Sequence, residues 1–503
     1  NKLGQLSSIV SHTKPLVFYV VFAVVVGLYT MLGGFRAAAI TDAIQGVLIV
    51  LFSLILIPVG LAKVGGFDGL HATVPDFMFA LFGSAALSDY GWYTILAMIL
   101  ANLVSIIAVT TGMQTAGSAR DEMTARLGML GGMFFKRFIM LFWALAGLLA
   151  IGLYAGELHD PDLIWGYMSR DLLMPGALGL MMVGILAANM STLDATSVSY
   201  SALFIRNLYE PLRPGRSESH YLLVGRLVIP LTLIGGVMVA VLVDDLLELF
   251  RYFISIPAIF GASIWLGFVW RGLTRPAVIL QVATCVMIYA IIPNLFSTMD
   301  WSRHDVRFLQ TTRARVVQVE EPALLGDVEA GRASRVGETL TRVREVAPAA
   351  VFFDEVAREN PADPTSRLVG LGRFNAEIWV LSWSGVDFSD TPRSWLIAFR
   401  FFFDAIFPFI LLFLFSAVTA PVGTVALDRF FAKMHTPVQA TAELDTVALE
   451  AAYATPRQFD GDKIFPGSRW EVMKPTMIDY LGFGGSWVLV GLILMLLWLM
   501  VNI

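Results

Sequence analysis

Residues 185–197 read ILAANMSTLDATS and place Asn189, Ser191, Thr192, Asp194 and Thr196 inside a run otherwise long and apolar enough to cross a membrane. Each of these polar groups is costly in hydrocarbon, so each needs a compensating role. On a helix Ala188, Ser191 and Asp194 are three residues apart and share a face, with Thr192 and Thr196 beside it. Hydroxyls, a carboxylate and released backbone carbonyls form a set of hard oxygen donors. Such a set suits a cation like sodium, whereas zinc or copper is matched by His and Cys. The competing reading is packing, in which the hydroxyls bond back to carbonyls one turn earlier and join helices. For Ser191 or Thr192 alone packing is the better explanation. Asp194 shifts the balance, because an intramembrane carboxylate is a functional group by default.

The surrounding chain fits a bilayer. Of 503 residues 57% are hydrophobic and only 15% charged, with a mean hydropathy of +0.71, too little polar surface for a soluble protein of this length. A net charge of -5 and the lack of an extended basic run exclude nucleic acid as a partner. Cys285 is the only cysteine, so neither a disulfide framework nor a thiolate metal site can be built. No glycine-rich phosphate loop ending in Lys-Ser or Lys-Thr occurs, and no histidines and carboxylates cluster at a common depth, so an enzyme is not expected. The chain opens on Asn1 without a signal-peptide pattern, which reads as a segment of a longer protein.

With about 20 apolar residues per span, ten segments are predicted, at 15–34, 40–64, 93–114, 134–155, 172–204, 221–243, 247–270, 274–295, 394–420 and 478–502. The loops carrying Arg36, then Arg120, Arg126, Lys136 and Arg137, then Arg206, Arg213, Arg216 and Arg226, then Arg271 and Arg275 are basic and face the cytoplasm. The alternating loops hold Asp68, Asp76 and Asp89, then Glu157, Asp160 and Asp162, then Asp244, Asp245 and Glu248, and face outward. The predicted organisation is an eight-span core over 1–296, an extracytoplasmic insertion over 297–393, a span over 394–420, a cytoplasmic loop over 421–476 and a last span over 477–503. The insertion reads as a small α+β unit, with strands at Arg315 to Val319 and Glu377 to Ser382 and helices at Arg332 to Val346 and Val351 to Arg358. The 421–476 loop has an amphipathic start at Leu427 to Met434 and is otherwise irregular.

A second carboxylate lies in GGFRAAAITDAIQG, residues 33–46, where Asp42 enters the second span beside Thr41 and Gln45. A helix N-terminal acid facing cytosol is the alternative, and the two roles are compatible. This stretch resembles the GG-x-x-A-V-x-x-T-D-x-x-Q motif of the sodium/solute symporters, the family of the sodium/proline and sodium/glucose carriers, and LAANMSTLDATS resembles that family's A-A-x-M-S-[ST]-L-x-S signature. The resemblance covers most of 15–296 and, more weakly, the last two spans. It implies an all-α polytopic membrane protein with a LeuT-like core of two inverted repeats. It also implies a sodium site made by the Ala188 carbonyl and the Ser191 and Thr192 hydroxyls. Asp194 matches the place of a second-sodium ligand, and Asp42 the aspartate associated with sodium exit and that second site. Longer members have fourteen spans, so the resemblance implies that the leading helix and the first three core helices come from a preceding segment or another chain. The family's unwound sixth helix often has a tyrosine gate before a glutamine, but here Thr111 stands three before Gln114 in AVTTGMQTAG.

Other polar positions are weaker. Asn102, Thr111 and Gln114 are candidates for a substrate pocket beside a helix breakable at Gly112, although packing explains Asn102 and Ser105 singly. Arg251 could reach a substrate carboxylate, while snorkelling or a local ion pair is the simpler explanation. Arg400 and Asp404, four apart, read as a structural pair. The function expected is sodium-coupled symport of a small polar solute such as a sugar, amino acid or small organic acid, in a plasma membrane, the inner membrane of a bacterium. The alternative is a symporter-like sensor or subunit signalling through a partner. In sealed cells, cysteines placed at Ser334 and Thr446 test the topology: the first is expected to label from outside and the second is not.

Overall fold

The computed structural model describes residues 15–74, 76–79, 90–154, 163–242, 246–322, 331–332, 334 and 339–502. Asp89, Glu157, Asp160, Asp162, Asp244 and Asp245 of the acidic loops lie outside these, as do the side chains of Arg36, Glu248 and Arg251. The main helices are α1 (Pro15–Leu54), α2 (Leu56–Val64), α3 (Trp92–Ser105), α4 (Thr110–Gly117), α5 (Glu122–Tyr154), α6 (Pro175–Phe204), α7 (Glu218–Leu242), α8 (Leu246–Val269), α9 (Arg275–Val286), α10 (Ala376–Ser382), α11 (Arg393–Val418), α12 (Thr424–His435), α13 (Ala442–Ala454) and α14 (Met477–Asn502). Four strands are present among the described residues, β1 (Arg315–Pro322), β2 (Thr339–Val346), β3 (Phe353–Arg358) and β4 (Leu368–Phe374).

In lipid a backbone must satisfy its own N–H and C=O groups, and the long apolar runs are helical for that reason. Seven helices among the described residues are long and apolar enough to cross a membrane, eight if Trp92–Ala108 and Thr111–Gly117 form one broken span. Two further predicted spans contain shorter apolar helices among the described residues. Ala38–Leu48 carries the start of 40–64, and Ile256–Val269 carries the end of 247–270. The protein is a polytopic helical membrane protein.

The chain forms two compact units that interleave along the sequence, Asn1–Met78 with Thr110–Phe250 and Leu481–Ile503, and Phe79–Val109 with Arg251–Tyr480. In the first unit α1 lies along α6, and α7 packs on both. Small residues allow the approach: a Cβ at Gly27 would come within 3.1 Å of Leu233, and one at Gly225 within 3.0 Å of the Ser201 hydroxyl. α1 bends at Gly34, whose φ of 60° and ψ of -161° suit glycine and strain any other residue. Pro175 opens α6 in its first turn, and a π-helical turn over Ile205–Tyr209 follows it.

In the second unit α11 packs against α3 and α9. Tyr93 stacks on Trp395 at 4.0 Å, and the Thr274 side chain caps α9 by accepting the Ala277 N–H at 3.3 Å. β1 pairs with β2 and β3 with β4, both antiparallel.

The strand expected at Arg315 to Val319 is found. The other three expectations in this region are corrected: β2 and β3 replace the predicted helices, and α10 replaces the predicted strand at Glu377 to Ser382. Cross-strand partners decide the first two. Gln318 faces Val343, and Phe353 faces Phe374 with both rings fully buried. In α10 buried Glu377 accepts from the guanidinium of Arg373, on the preceding strand β4, at 2.7 Å.

Residues 421–476 are also more ordered than expected, because a buried ionic cluster joins α12 and the 460–471 segment to Arg271. Arg271 donates to Glu471 and Asp428, and Lys463 reaches Glu471 at 2.8 Å and Asp460 at 2.5 Å. Glu471 is fully buried, and His435 Nδ1 lies 3.7 Å from its Oε2. Burial holds the His435 pKa below its ordinary 6.5, with Lys463 and Arg271 adding to the effect and Glu471 opposing it. A histidine kept neutral by the fold binds fewer protons than in the unfolded chain, so stability falls as pH drops below about 6.5. Hydrogen exchange at the Ile464 and Glu471 amides is expected to accelerate on acidification through that range, and His435→Gln to flatten the response.

Candidate functional site

Asp194 is fully buried on α6. A carboxylate in this setting requires partners, and α1 supplies one: the Tyr29 hydroxyl donates to Asp194 Oδ2 at 2.5 Å. The Ala195 N–H donates to Oδ1 at 2.6 Å. Beyond the Gly34 bend, α1 returns Asp42 to the same place, where its carboxyl interacts directly with that of Asp194. Asp42 Oδ1 and Gln45 Oε1 are buried with no hydrogen-bond partner among the described residues. Three residues apart, they present acceptor oxygens beside two acids, an arrangement that fits a hard cation.

The hydroxyls expected to hold sodium, Ser191 and Thr192, lie within one turn of Asp194 on α6. Ser191 Oγ donates to the Ala188 carbonyl at 3.0 Å, and Thr192 Oγ1 donates to the same carbonyl at 3.2 Å. All three oxygens thus converge on one point of the helix. Ser191 and Ala188 are half-buried and Thr192 is exposed. Asn189 bonds back to the Ile185 carbonyl at 2.9 Å, the packing arrangement.

The substrate-pocket candidates separate. Gln114 accepts from the Ser199 hydroxyl of α6 and lines a cavity of about 410 Å³ with Thr30, Gly34, Ser201 and Tyr221. Thr111 is half-buried, and its carbonyl accepts from the Thr115 hydroxyl at 2.9 Å. Asn102 is exposed and belongs to the other compact unit, and the Arg251 side chain lies outside the described residues.

Sequence reasoning missed Tyr29 and Ser199. The available signal was a polar-tipped tyrosine thirteen residues before Asp42 inside an apolar span, next to Thr30. Tyr29→Phe is expected to cost about 1–3 kcal/mol by leaving a buried acceptor short of a donor. Tyr29→Phe and Asp194→Asn should then couple by at least about 0.5 kcal/mol in a double-mutant cycle of thermal unfolding. Strict additivity would show that the two side chains do not meet.

Comparison with known proteins gives the chain its relatives. The model of the sodium:solute symporter family matches residues 16–275, more than half of the chain and all of α1 to α7 except the first residue. The chain is 28% identical over 249 residues to sodium/glucose cotransporter 4 of Danio rerio, covering 42% of this chain and 37% of that protein. It is 26% identical over 214 residues to the sodium/pantothenate symporter of Haemophilus influenzae, covering 42% and 43%. With sodium/myo-inositol cotransporter 2 of Bos taurus it is 26% identical over 261 residues, covering 45% and 39%. The chain thus spans about two fifths of the length of these curated relatives. The matched region contains both motifs and the helices that bring Asp42, Asp194 and Tyr29 together, and the chain belongs to the sodium:solute symporter family.

Proposed function

We propose that this chain is part of a sodium-coupled symporter that drives uptake of a small polar solute, a sugar, amino acid or small organic acid, across a plasma membrane. The observation that carries the reading is the meeting of Asp42 and Asp194 inside one helical unit, with unpartnered Asp42 and Gln45 oxygens beside them. Relatives named for glucose, pantothenate and myo-inositol support a polar, uncharged or singly charged solute. In this reading the LeuT-like core lies in 1–296, 297–393 is an outer insertion and 421–476 an inner loop. The rest of the solute pocket comes from helices beyond those in this sequence, in the same protein or a partner.

The Ala188 carbonyl, Ser191 and Thr192 hold one sodium ion, and Asp194 with Asp42 holds a second cation or its exit path. A hydroxyl is donor and acceptor at once, so Ser191 and Thr192 can keep donating to the Ala188 carbonyl or turn their lone pairs to an ion. That exchange needs no change of rotamer class, only of hydroxyl torsion. Each sodium charge moved inward releases about 2.3 kcal/mol per 100 mV, enough to concentrate a neutral solute without a nucleotide.

In the full-length transporter, Ser191→Ala is expected to raise the sodium concentration for half-maximal uptake several-fold at near-normal expression. Asp194→Asn keeps shape but removes charge, and is expected to impair sodium coupling more than folding. If these groups only joined helices, each change would cost roughly 0.6 kcal/mol of stability. Lower expression with unaltered sodium dependence in radiolabelled uptake would favour that packing role.

A further inference from the structure

Residues 464–470 read IFPGSRW and bring large apolar side chains and an arginine into an otherwise polar segment. The run is the tip of a short hairpin in the second unit. Its legs are joined by a bridge between Lys463 and Met473 and by a bond from the Ile464 N–H to the Val472 carbonyl at 2.8 Å. Gly467 turns the chain with a φ of 70°, a conformation that suits glycine, and its N–H donates to Asp460 Oδ2 at 3.0 Å. The ionic cluster around Arg271 holds the base, where Lys463 and Glu471 are buried. At the tip Ile464, Phe465 and Trp470 are exposed. A hairpin that buries a lysine and a glutamate and presents its large apolar groups outward inverts the arrangement that water favours.

The neighbours of the tip fix its depth. α11 is long and apolar enough to cross a membrane, and Ile406, Ile410, Phe413 and Leu414 form an exposed apolar stripe along it at helical spacing. Phe413 stands five residues before the Val418 end, about 7–8 Å along the axis. The Trp470 ring lies 6.3 Å from the Phe413 ring and 6.1 Å from that of Trp270, the residue after the Val269 end of α8. The Trp270 and Trp470 backbones also form an antiparallel bridge. Trp470 is therefore level with the last turns of a span, the zone of a bilayer in which tryptophan is enriched. The exposed stripe of α11 continues into Trp470 and the tip beyond it. Charge fits the same surroundings. The Arg469 side chain is exposed and has no ion pair among the described residues, whereas Asp460, the acid at the turn, is engaged by Lys463 at 2.5 Å and by the Gly467 N–H. A guanidinium beside an apolar tip matches a lipid phosphate, which it can grip with two parallel N–H donors.

We propose that the 464–470 tip is a membrane-surface anchor: Ile464, Phe465 and Trp470 enter the bilayer interface beside the Val418 end of α11, and the Arg469 guanidinium binds a lipid phosphate. The anchor holds the hairpin from outside while the Arg271–Glu471–Lys463 cluster holds it from within. The next span, α14, starts at Met477, seven residues after Trp470, so the chain has only a short distance to cover before it re-enters the membrane.

Spin-label accessibility in the full-length protein, reconstituted into vesicles of phosphatidylcholine and phosphatidylglycerol, tests the anchor without calling on transport. Cys285 is buried, so the label goes to an introduced cysteine. At Phe465→Cys the ratio of collisions with oxygen to collisions with a polar nickel chelate is expected to exceed several-fold that at Thr446→Cys on α13, and to approach that at Ile410→Cys on the α11 stripe. Collisions dominated by nickel at Phe465→Cys would place the tip in water and overturn the proposal. Shielding from both reagents would show that protein covers the tip, a second copy or further helices, and would overturn it equally. Arg469→Gln is expected to raise nickel collisions at the Phe465→Cys label several-fold, since it removes the phosphate contact and keeps the Arg469 carbonyl that accepts the Arg271 N–H. An unchanged label would refute the role of Arg469. All four substituted side chains are exposed, so none of these changes removes a buried contact.

Discussion

The first unit is organised around one buried carboxylate. Asp194 sits at a depth where neither water nor lipid can solvate it, so the protein must bring it a donor. The donor is the Tyr29 hydroxyl, which fixes the rotation of α1 against α6. The same helix must then return Asp42 to the site, and a straight α1 would carry thirteen residues, about 20 Å, between the two. The bend at Gly34 resolves this, with a backbone conformation that only glycine adopts without strain. Close approach of α7 through Gly225 completes the wall. Helix contacts that look like generic packing follow from the needs of two acids.

The second unit meets a similar problem with different chemistry. Its ionic groups are mostly paired, Arg373 with Glu377 and Arg271 with Glu471 and Asp428, and they tie helices to non-helical segments. Pairs of this kind gain little net stability over apolar packing, but removing one partner leaves a buried charge, so they select one arrangement among many. This explains why 421–476, polar and without span character, is nevertheless ordered. At the α8–α9 turn the Arg271 N–H donates to the Arg469 carbonyl and the Glu471 N–H to the Val269 carbonyl, so backbone as well as side chains anchor it.

Much of this was legible in the sequence, for physical reasons. Membrane spans announce themselves because hydrocarbon imposes one rule on every residue, and intramembrane acids stand out against it, which is how Asp42 and Asp194 were found. Tyr29 was not legible, since a tyrosine costs little in a span and its role depends on a helix 165 residues away. Residues 297–393 were misread in three of four elements because short, half-polar segments carry weak periodicity. There β2 and β3 are decided by cross-strand partners, and α10 by an ion pair with Arg373. The charge-bearing β2 sequence TLTRVREV satisfies a helical pattern equally well until β1 is beside it. Local sequence was informative wherever the environment was uniform, and failed where a partner distant in sequence chose the structure.

The oxygens of α6 show why packing and ion binding should not be treated as rivals. Ser191 and Thr192 both donate to the Ala188 carbonyl, which satisfies their protons inside the helix and leaves their lone pairs directed outward. An apolar helix carrying bare carbonyls would lack those lone pairs, and a carboxylate at the same point would bring a fixed charge that must be neutralised whenever the ion leaves. Neutral hydroxyls avoid that cost. In the proposed reading, a site at Ala188, Ser191 and Thr192 would empty without a buried charge, whereas the Asp42–Asp194 pair would need a proton in the ion's place. In the proposed transport cycle the two places on α6 would take different parts, one releasing a cation easily and the other sensing whether charge is present.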